Sequence, residues 1–330
     1  MLKQVICALA VPAALLAAAA TAADKAADKA ADRYPAQPIR FLVPNPPGGG
    51  SDAVARILAT ELSKSLAQQV VVDNRGGGGG IIANDTAAHA TPDGYTMLLG
   101  FIGPMVITPA MLKTPYDSLK DFAPVSLVAA GQYMLVLHPS VPAKNLKDFV
   151  AYAKANPTKL NYGSAGNGSP LHLAPELFKA RAGIEMAHVP YKGGGPATAA
   201  VLAGEVQVLF GSITSVLPQV KAGKLTPIGV TGAKRSPIAP EYPTIAELGY
   251  PGFEMTSWYG VLLPAKTPPA IVRKLNDAIV AALKNPDVVE QMKRQGMDTI
   301  GSSPAEFSAY LRTETEKWAK VVKAAGIKPD

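Results

Sequence analysis

One pattern recurs along this chain and limits its fold: a short apolar run, a glycine-rich loop, and then apolar residues at helical spacing. It appears first at Ile39–Val43, which Pro46–Gly50 ends and a helical stripe from Ser51 follows. It returns at Leu160–Tyr162, which Gly163–Pro170 ends. Apolar strands that alternate with helices are typical of a parallel sheet with crossover connections. The pattern therefore predicts the α/β class.

The alternation breaks between residues 121 and 137, where two apolar strands follow each other without a helix between them. A second α/β series comes next, and the chain closes with three predicted helices that each carry a proline in the first turn. This division predicts two lobes, each a mostly parallel sheet flanked by helices. We expect lobe 1 to comprise residues 34–129 and 253–330 and lobe 2 to comprise residues 130–252. A ligand site would lie between them, at the carboxyl ends of strands.

Composition narrows the function classes. Cysteine occurs once in 330 residues, at Cys7, which excludes a disulfide framework and a cysteine-based zinc cluster. The four histidines are widely spaced and form no metal-ligand pair, so we expect no metal and no cofactor. The net charge of +7 is spread along the chain without a block of Lys and Arg, which argues against nucleic-acid binding. A dispersed positive field would instead attract small anions.

The first residues have the pattern of a secretory signal peptide. Lys3 precedes an apolar run, Val5–Ala20, and the small residues Ala20–Ala22 follow as a cleavage site. The alternative is a membrane anchor, but an anchor needs about 20 apolar residues and stop-transfer flanks. We expect residues 1–22 to be a signal peptide, residues 23–33 to be a flexible spacer, and the protein to be periplasmic.

The glycine-rich loops suggest how a small anion could be held. Glycine lets backbone N–H groups approach a ligand, and the start of a helix leaves N–H donors unpaired. Together they bind a carboxylate or phosphate without a charged side chain. Two such loops on opposing lobes could hold both ends of a dicarboxylate. The alternative is that each loop is only a tight turn before a capped helix.

A serine hydrolase is the rival from another function class. Tyr162–Gly166 resembles a nucleophile elbow, but Tyr162 stands where that motif needs glycine. A hydrolase built on Ser164 or Ser169 also needs a base, and the histidines are scattered. His172 either packs locally on its helix or faces the ligand. The paired acids Glu314 and Glu316 are predicted to lie on a solvated helix face.

The chain resembles the Bug-type (TctC-like) substrate-binding proteins of tripartite tricarboxylate transporters over nearly its whole length after the leader. The motifs that carry this resemblance are Pro46–Asp52, Asp93–Thr96, Asp121–Val125, Asn161–Ser169, His188–Gly193, Pro243–Glu247 and Trp258–Gly260. The resemblance implies a periplasmic "Venus flytrap" of type II-like topology that closes on a small carboxylate and delivers it to transporter membrane subunits. Some members of the family serve receptor signalling instead. A non-enzymatic, monomeric binding protein is therefore expected.

The resemblance also implies the ligand contacts, and three departures from the family pattern bear on them. Asn45 stands where the family usually has an aromatic residue, and Phe101 follows the third strand where small hydroxyl residues are common. Gln207 lies in a region that often carries an acid, which argues against an amino group on the ligand. Phe101 suggests an apolar or aromatic ligand body. The candidate ligand-binding residues are Asn45, Gly48, Gly49, Gly50, Ser51, Asp52, Phe101, Ser164, Ala165, Gly166, Asn167, Ser169, His172, Gly211 and Ser212.

Overall fold

The structure is a computed structural model, and it describes residues 33–326. The predicted signal peptide, residues 1–22, lies outside the described residues, as does nearly all of the predicted spacer, residues 23–33. Within residues 33–326, no helix is both long enough and apolar enough to cross a membrane.

The first part of the chain forms three parallel strands with two helical crossovers, as the sequence predicts. Its elements are β1 (Ile39–Val43), α1 (Gly50–Ser65), β2 (Val70–Asn74), a 3₁₀ turn (Gly78–Gly80), α2 (Ile81–Ala88) and β3 (Thr96–Phe101). Strand β1 lies between β2 and β3 and is parallel to both. The carboxyl ends of these strands, and the loops that follow β1 and β3, therefore meet at one edge of the sheet.

After β3 the chain forms a π-helical turn (Gly103–Ile107) and a short helix α3 (Thr108–Met111), and then the long strand β4 (Phe122–Leu137). The two strands predicted in this region are one continuous strand. Its register shifts at two irregular points, after Pro124 and after Leu127, rather than ending in a turn. The strand continues because residue 131 is paired on both sides, with Ser257 and with Met297.

The second α/β series follows β4. Its elements are α4 (Leu146–Ala155), β5 (Asn161–Ser164), α5 (Pro170–Ala182), β6 (Ala187–Pro190), α6 (Gly194–Ala203), β7 (Val208–Ser212), α7 (Ile213–Lys221) and β8 (Thr226–Val230). Strand β5 lies between β6 and β7 and is parallel to both. The loops that follow β5, β6 and β7 therefore share an edge, as the loops of the first series do.

The last part of the chain returns to the first sheet. It contains β9 (Thr256–Pro264), α8 (Pro269–Ala282), α9 (Pro286–Arg294), β10 (Met297–Thr299) and α10 (Pro304–Ala325). Each of its three helices has proline in the first turn, as predicted. Helix α10 begins with a capping box, in which Ser303 accepts from the N–H of Glu306 and the Glu306 carboxylate accepts from that of Ser303.

Strand β4 joins the two halves of the fold. The strands of the described chain form one ten-stranded sheet with the central order β2-β1-β3-β9-β4-β7-β5-β6. Residues of β4 up to Gln132 pair with β9, and those from Tyr133 onward pair with β7. The α/β fold is confirmed, but both halves are mixed because β4 and β9 run antiparallel to their described partners. The predicted lobe ranges, 34–129 with 253–330 and 130–252, stay a prediction.

One prediction about the last helix is wrong. Glu314 is not on a solvated face, because it is 3% exposed and accepts hydrogen bonds from the indole N–H groups of Trp318 (3.0 Å) and Trp258 (3.3 Å). Lys317 also pairs with it. The carboxylate is buried because α10 packs against β4 and the indoles supply donors that replace water. Glu316 is exposed, as predicted.

Candidate functional site

The loop between β1 and α1 presents glycine backbone at the edge where the parallel strands end. Gly48, Gly49 and Gly50 are exposed, whereas Ser51 and Asp52 in the first turn of α1 are buried. Gly48 has φ +91°, a left-handed conformation that favours glycine. Gly49 is the N-cap with extended backbone, and no side chain caps the helix. The helix start is therefore open toward the loop.

Asp52 holds this loop in shape. Its carboxylate accepts hydrogen bonds from the N–H of Gly48 (2.9 Å), from Arg56 Nε (3.0 Å) and from Asn74 Nδ2 (3.1 Å). The hydrogen bond from Arg56 is the largest influence that lowers the pKa of Asp52, and the Gly48 and Asn74 bonds act in the same direction against burial. Asp52 is therefore an ionised residue that orders the loop.

The first turn of α1 keeps several donors for a ligand. Its N–H groups cannot bond inside the helix, and within residues 33–326 no acceptor contacts the N–H groups of residues 49–52. Asn45 Nδ2 donates to Ser51 Oγ (2.8 Å), so the Ser51 hydroxyl proton remains to be donated elsewhere. The positive end of the helix dipole adds to this arrangement. The loop can therefore bind a carboxylate through backbone and hydroxyl donors.

An aromatic pair lies beside these donors. Phe101, at the end of β3, is half-buried, and its ring centroid is 6.0 Å from that of Tyr259 in β9. A Cβ added at Gly50 would come 3.5 Å from Tyr259 Oη, which places the phenol next to the start of α1. Burial raises the pKa of Tyr259, so its hydroxyl stays protonated and can donate. Tyr259 is not among the site residues predicted from the sequence.

The second loop uses most of its backbone donors internally. The N–H of Gly166 donates to Ser164 Oγ (3.1 Å), that of Gly168 to His172 Nδ1 (3.1 Å), and that of Ser169 to the Gly166 carbonyl (3.2 Å). Pro170 begins α5 and has no N–H to offer. The two loops are therefore not equivalent, and a backbone socket in the second loop stays a prediction with fewer available donors than in the first.

The second loop offers side chains instead. Within the described residues, the buried Oγ of Ser169 has no hydrogen-bond partner, although Ser169 is the N-cap residue of α5. A buried hydroxyl without a partner is costly, which suggests that a ligand or water completes it. Asn167 is exposed at the tip of the loop, and Ala165 packs at the margin of the core.

A stacked pair of imidazoles lies under this loop. The rings of His172 in α5 and His188 in β6 are 3.9 Å apart and 6° from parallel. His188 Nε2 is 2.6 Å from Ser164 Oγ, and burial is the main cause that lowers the pKa of His188. Two positive charges at that separation would repel by about 4 kcal/mol at an effective dielectric constant of about 20. The pair is therefore neutral or singly charged.

The second loop lies next to the segment that follows β3. A Cβ added at Gly168 would come 3.6 Å from Met111 Cε and 3.9 Å from Ile107 Cγ2. Ile107 belongs to the π-helical turn that follows Phe101, so the second loop packs beside the segment that leads away from β3.

Gly211 and Ser212 close the list of predicted positions. Gly211 is buried in β7, and a Cβ there would overlap Val216, which gives this glycine a packing role. Ser212 is half-buried at the start of α7, and its hydroxyl bonds to that of Ser215. Ser212 pairs with Tyr133, the residue of β4 from which the partner strand is β7 instead of β9.

A comparison with protein families fits this geometry. The family described as "Tripartite tricarboxylate transporter family receptor" matches residues 54–327. The chain belongs to this family.

Three solved structures are similar to this protein over most of its length. An R. palustris protein solved with adipate is 35% identical, with a TM-score of 0.74 over 90% of this chain and 100% of its own. The periplasmic binding protein BugD is 34% identical, with a TM-score of 0.70 over 90% and 100%. MatC from Rhodopseudomonas palustris, solved with bound malate, is 32% identical, with a TM-score of 0.71 over 88% and 100%. The Bug-type resemblance and the periplasmic binding-protein fold are confirmed.

The predicted site residues fall into two groups. Residues 45–52 and Phe101 lie at the edge of the first sheet, and residues 164–172 and Ser212 lie at that of the second. Their contacts with a ligand stay predictions. Sequence analysis missed Tyr259 and His188, although His188 lies inside one of the family-like motifs. His188 lies opposite Tyr162 on the neighbouring parallel strand, a pairing that only the fold shows.

Proposed function

We propose that this protein is a periplasmic solute-binding protein that captures a small organic carboxylate and delivers it to the membrane subunits of a tripartite tricarboxylate-type transporter. The observation that carries the proposal is the start of α1. Its N–H groups at residues 49–52 have no acceptor within the described chain, while Asp52 fixes the loop around them. Related proteins solved with adipate and with malate support a carboxylate ligand.

The surroundings favour a dicarboxylate or an aromatic carboxylate. One carboxylate would accept from the first-turn N–H groups and the Ser51 hydroxyl. The Phe101 and Tyr259 rings would contact the ligand body, and the unpartnered Ser169 hydroxyl would donate to its far end. Closure of the lobes excludes water, which strengthens hydrogen bonds to a charged group. Export would depend on the signal peptide predicted at residues 1–22.

A thermal-shift panel followed by calorimetry tests this function. We expect a C4–C6 dicarboxylate or an aromatic carboxylate to raise the melting temperature, because a ligand that binds only the folded state stabilises it. The matched amides and methyl esters, which lack the negative charge, should give no shift. A panel in which the neutral analogues shift the protein as much as the acids do would contradict the proposal.

One observation supports the serine-hydrolase alternative, and another opposes it. The Ser164 hydroxyl does meet a histidine, His188, at 2.6 Å. Ser164 is however fully buried, and its oxygen already accepts from the N–H of Gly166, so a substrate carbonyl has no approach to it. We therefore propose a protein without catalytic activity. Turnover of a chromogenic ester that is lost in Ser164→Ala would reverse this conclusion.

A sensory role would use the same pocket. Some family members are expected to act in signalling, and the geometry of the cleft does not separate the two roles. Affinity capture with the loaded protein distinguishes them, because transport requires the tripartite membrane subunits and signalling requires a receptor. We propose transport by a monomer.

A further inference from the structure

We infer that His172 and His188 are positioning residues that hold the second loop for ligand binding, and that protonation of the pair loosens the loop and weakens carboxylate affinity. This inference rests on the proposed function, since it concerns the same cleft. The two histidines would act on the ligand indirectly, through the backbone and hydroxyl groups of the second loop.

His172 fixes the tip of the loop. Its Nδ1 accepts a hydrogen bond from the N–H of Gly168 at 3.1 Å, so this nitrogen carries no proton in the structure. Gly168 has φ +69°, a left-handed conformation that glycine adopts readily, so the hydrogen bond selects one of several backbone arrangements open to this residue. A proton on Nδ1 would face the Gly168 N–H and remove that bond. His172 itself is 7% exposed, so water cannot freely replace the lost partner.

His188 fixes the start of the loop through Ser164. Its Nε2 lies 2.6 Å from Ser164 Oγ, and the same oxygen accepts from the N–H of Gly166 at 3.1 Å. Ser164 has no exposed surface. The two imidazoles therefore support Gly166 and Gly168, the glycines on either side of Asn167, from one stacked unit. A change in either ring is passed to the backbone that precedes Ser169.

The charged groups around the pair are few and are tied to each other. In the described structure, His188 is influenced by Glu176 and Lys179, both on α5, in opposite directions. Glu176 accepts from the Tyr162 hydroxyl (2.6 Å) and from Lys179 (2.8 Å), and Lys179 also lies 3.8 Å from Glu185. The Tyr162 ring packs on His188 with centroids 5.0 Å apart. Glu176 is thus held by Tyr162 and Lys179, and it favours the charged form of His188 from that position.

Stacking makes the response to acid a property of the pair. The first proton leaves one ring neutral, and the second must enter beside an existing charge at 3.9 Å. Such a pair titrates in coupled steps rather than as two independent histidines. Burial lowers the pKa of His188, so this ring takes up a proton only at a lower pH than an ordinary histidine does. At neutral pH the His188 ring is therefore uncharged beside Ser164.

The test combines a loop measurement with a binding measurement. NMR of protein labelled with ¹⁵N-glycine follows the Gly166 and Gly168 amides from pH 8 to pH 5.5, without ligand. Calorimetry measures the affinity for adipate over the same range. For one group of pKa about 6.5 that must be neutral, affinity falls by about tenfold at pH 5.5. We expect a loss up to that size, reduced by the lowered pKa of His188.

The variants separate titration from packing. His172→Gln keeps an acceptor for the Gly168 N–H but cannot take up a proton, so combined with His188→Gln it should show only the pH dependence that protonation of adipate itself causes. His172→Phe keeps a stacked ring without an acceptor and should weaken binding at every pH. His89→Gln, at an exposed histidine of the first series, is the matched control and should behave as wild type. Protonation of adipate affects all variants alike and cancels in the comparison.

Two results would refute different statements. Glycine amides that do not respond to pH, or a doubly substituted protein with the wild-type pH profile for adipate, would overturn the role of the histidine pair. Failure of every carboxylate in the panel to bind at any pH would overturn the proposed function instead.

Discussion

Gly49→Val is the sharpest test of the backbone donors in the first loop. Gly49 has φ −90° and ψ 174°, a conformation that valine adopts without strain. An added Cβ would meet no atom within 4 Å. The variant should therefore fold normally, while its isopropyl group occupies open space beside the first-turn N–H groups. We expect the free energy of unfolding to fall by no more than about 1 kcal/mol, because valine is a poorer N-cap than glycine.

The loss of affinity follows from the hydrogen bonds that valine would obstruct. A hydrogen bond to a charged group contributes about 1.5–3 kcal/mol. Obstruction of one or two such bonds to a carboxylate should weaken binding by about 2–4 kcal/mol. Since about 1.4 kcal/mol is a tenfold change, the Kd should rise by between about thirtyfold and about a thousandfold.

Calorimetry with adipate measures this change, and two variants control for it. Gly195→Val adds the same group to a glycine in the first turn of α6, where an added Cβ would also meet no atom within 4 Å. This variant should keep the affinity within about threefold. Lys192→Ala removes an exposed charge, whose interactions solvent and salt screen, and should have a similarly small effect. If Lys192→Ala weakens binding more than Gly49→Val, a side-chain charge is the main anchor and the reasoning from backbone donors is wrong.

Three further predictions concern other parts of the site and the core. Phe101→Ala should weaken binding of aromatic carboxylates by about tenfold, the effect of lost apolar contact, and unchanged calorimetric affinity for every carboxylate would contradict a role for this ring. Asp52→Asn should lower the free energy of unfolding by about 1–2 kcal/mol in denaturant titrations at pH 7. Because the pKa of Asp52 is lowered in the folded state, its contribution is complete above about pH 4 and is lost as the pH falls further, so the difference between variant and wild type should shrink there. Glu314→Ala should lower the free energy of unfolding by about 3 kcal/mol or more, because it leaves Lys317 and two indoles without their acceptor. The exposed control Glu316→Ala should lower it by less than about 0.5 kcal/mol. Equal losses in the two variants would show that burial of Glu314 is unimportant.

The first loop could be predicted from the sequence because its signals are local. An apolar run, consecutive glycines and a helical stripe follow each other between residues 39 and 66, and Asp52 acts within four residues of its partners Gly48 and Arg56. The order of strands and helices could be predicted for the same reason. Each of these features depends on residues that are close in the chain.

The rest of the site depends on pairing between distant segments. His188 reaches Ser164 because β5 and β6 are parallel neighbours with Tyr162 opposite His188, a register that spacing alone does not reveal. Tyr259 reaches Gly50 because β9 inserts beside β3. Glu314 is buried for a similar reason, since the tryptophan that β9 contributes meets it across the sheet. Helical spacing places Trp318 on the same face as Glu314, but it gives no sign of Trp258, which comes from β9.

The position of β9 has a consequence for how the chain matures. This strand fills the gap between β3 and β4 but is synthesised only after the whole second α/β series. A growing chain that has not reached residue 256 therefore has two strand edges without hydrogen-bond partners and a first sheet that cannot close. Sheets that depend on contacts between remote segments form slowly. That delay suits the proposed export, because a polypeptide that completes its centre last remains unfolded long enough to be threaded across a membrane.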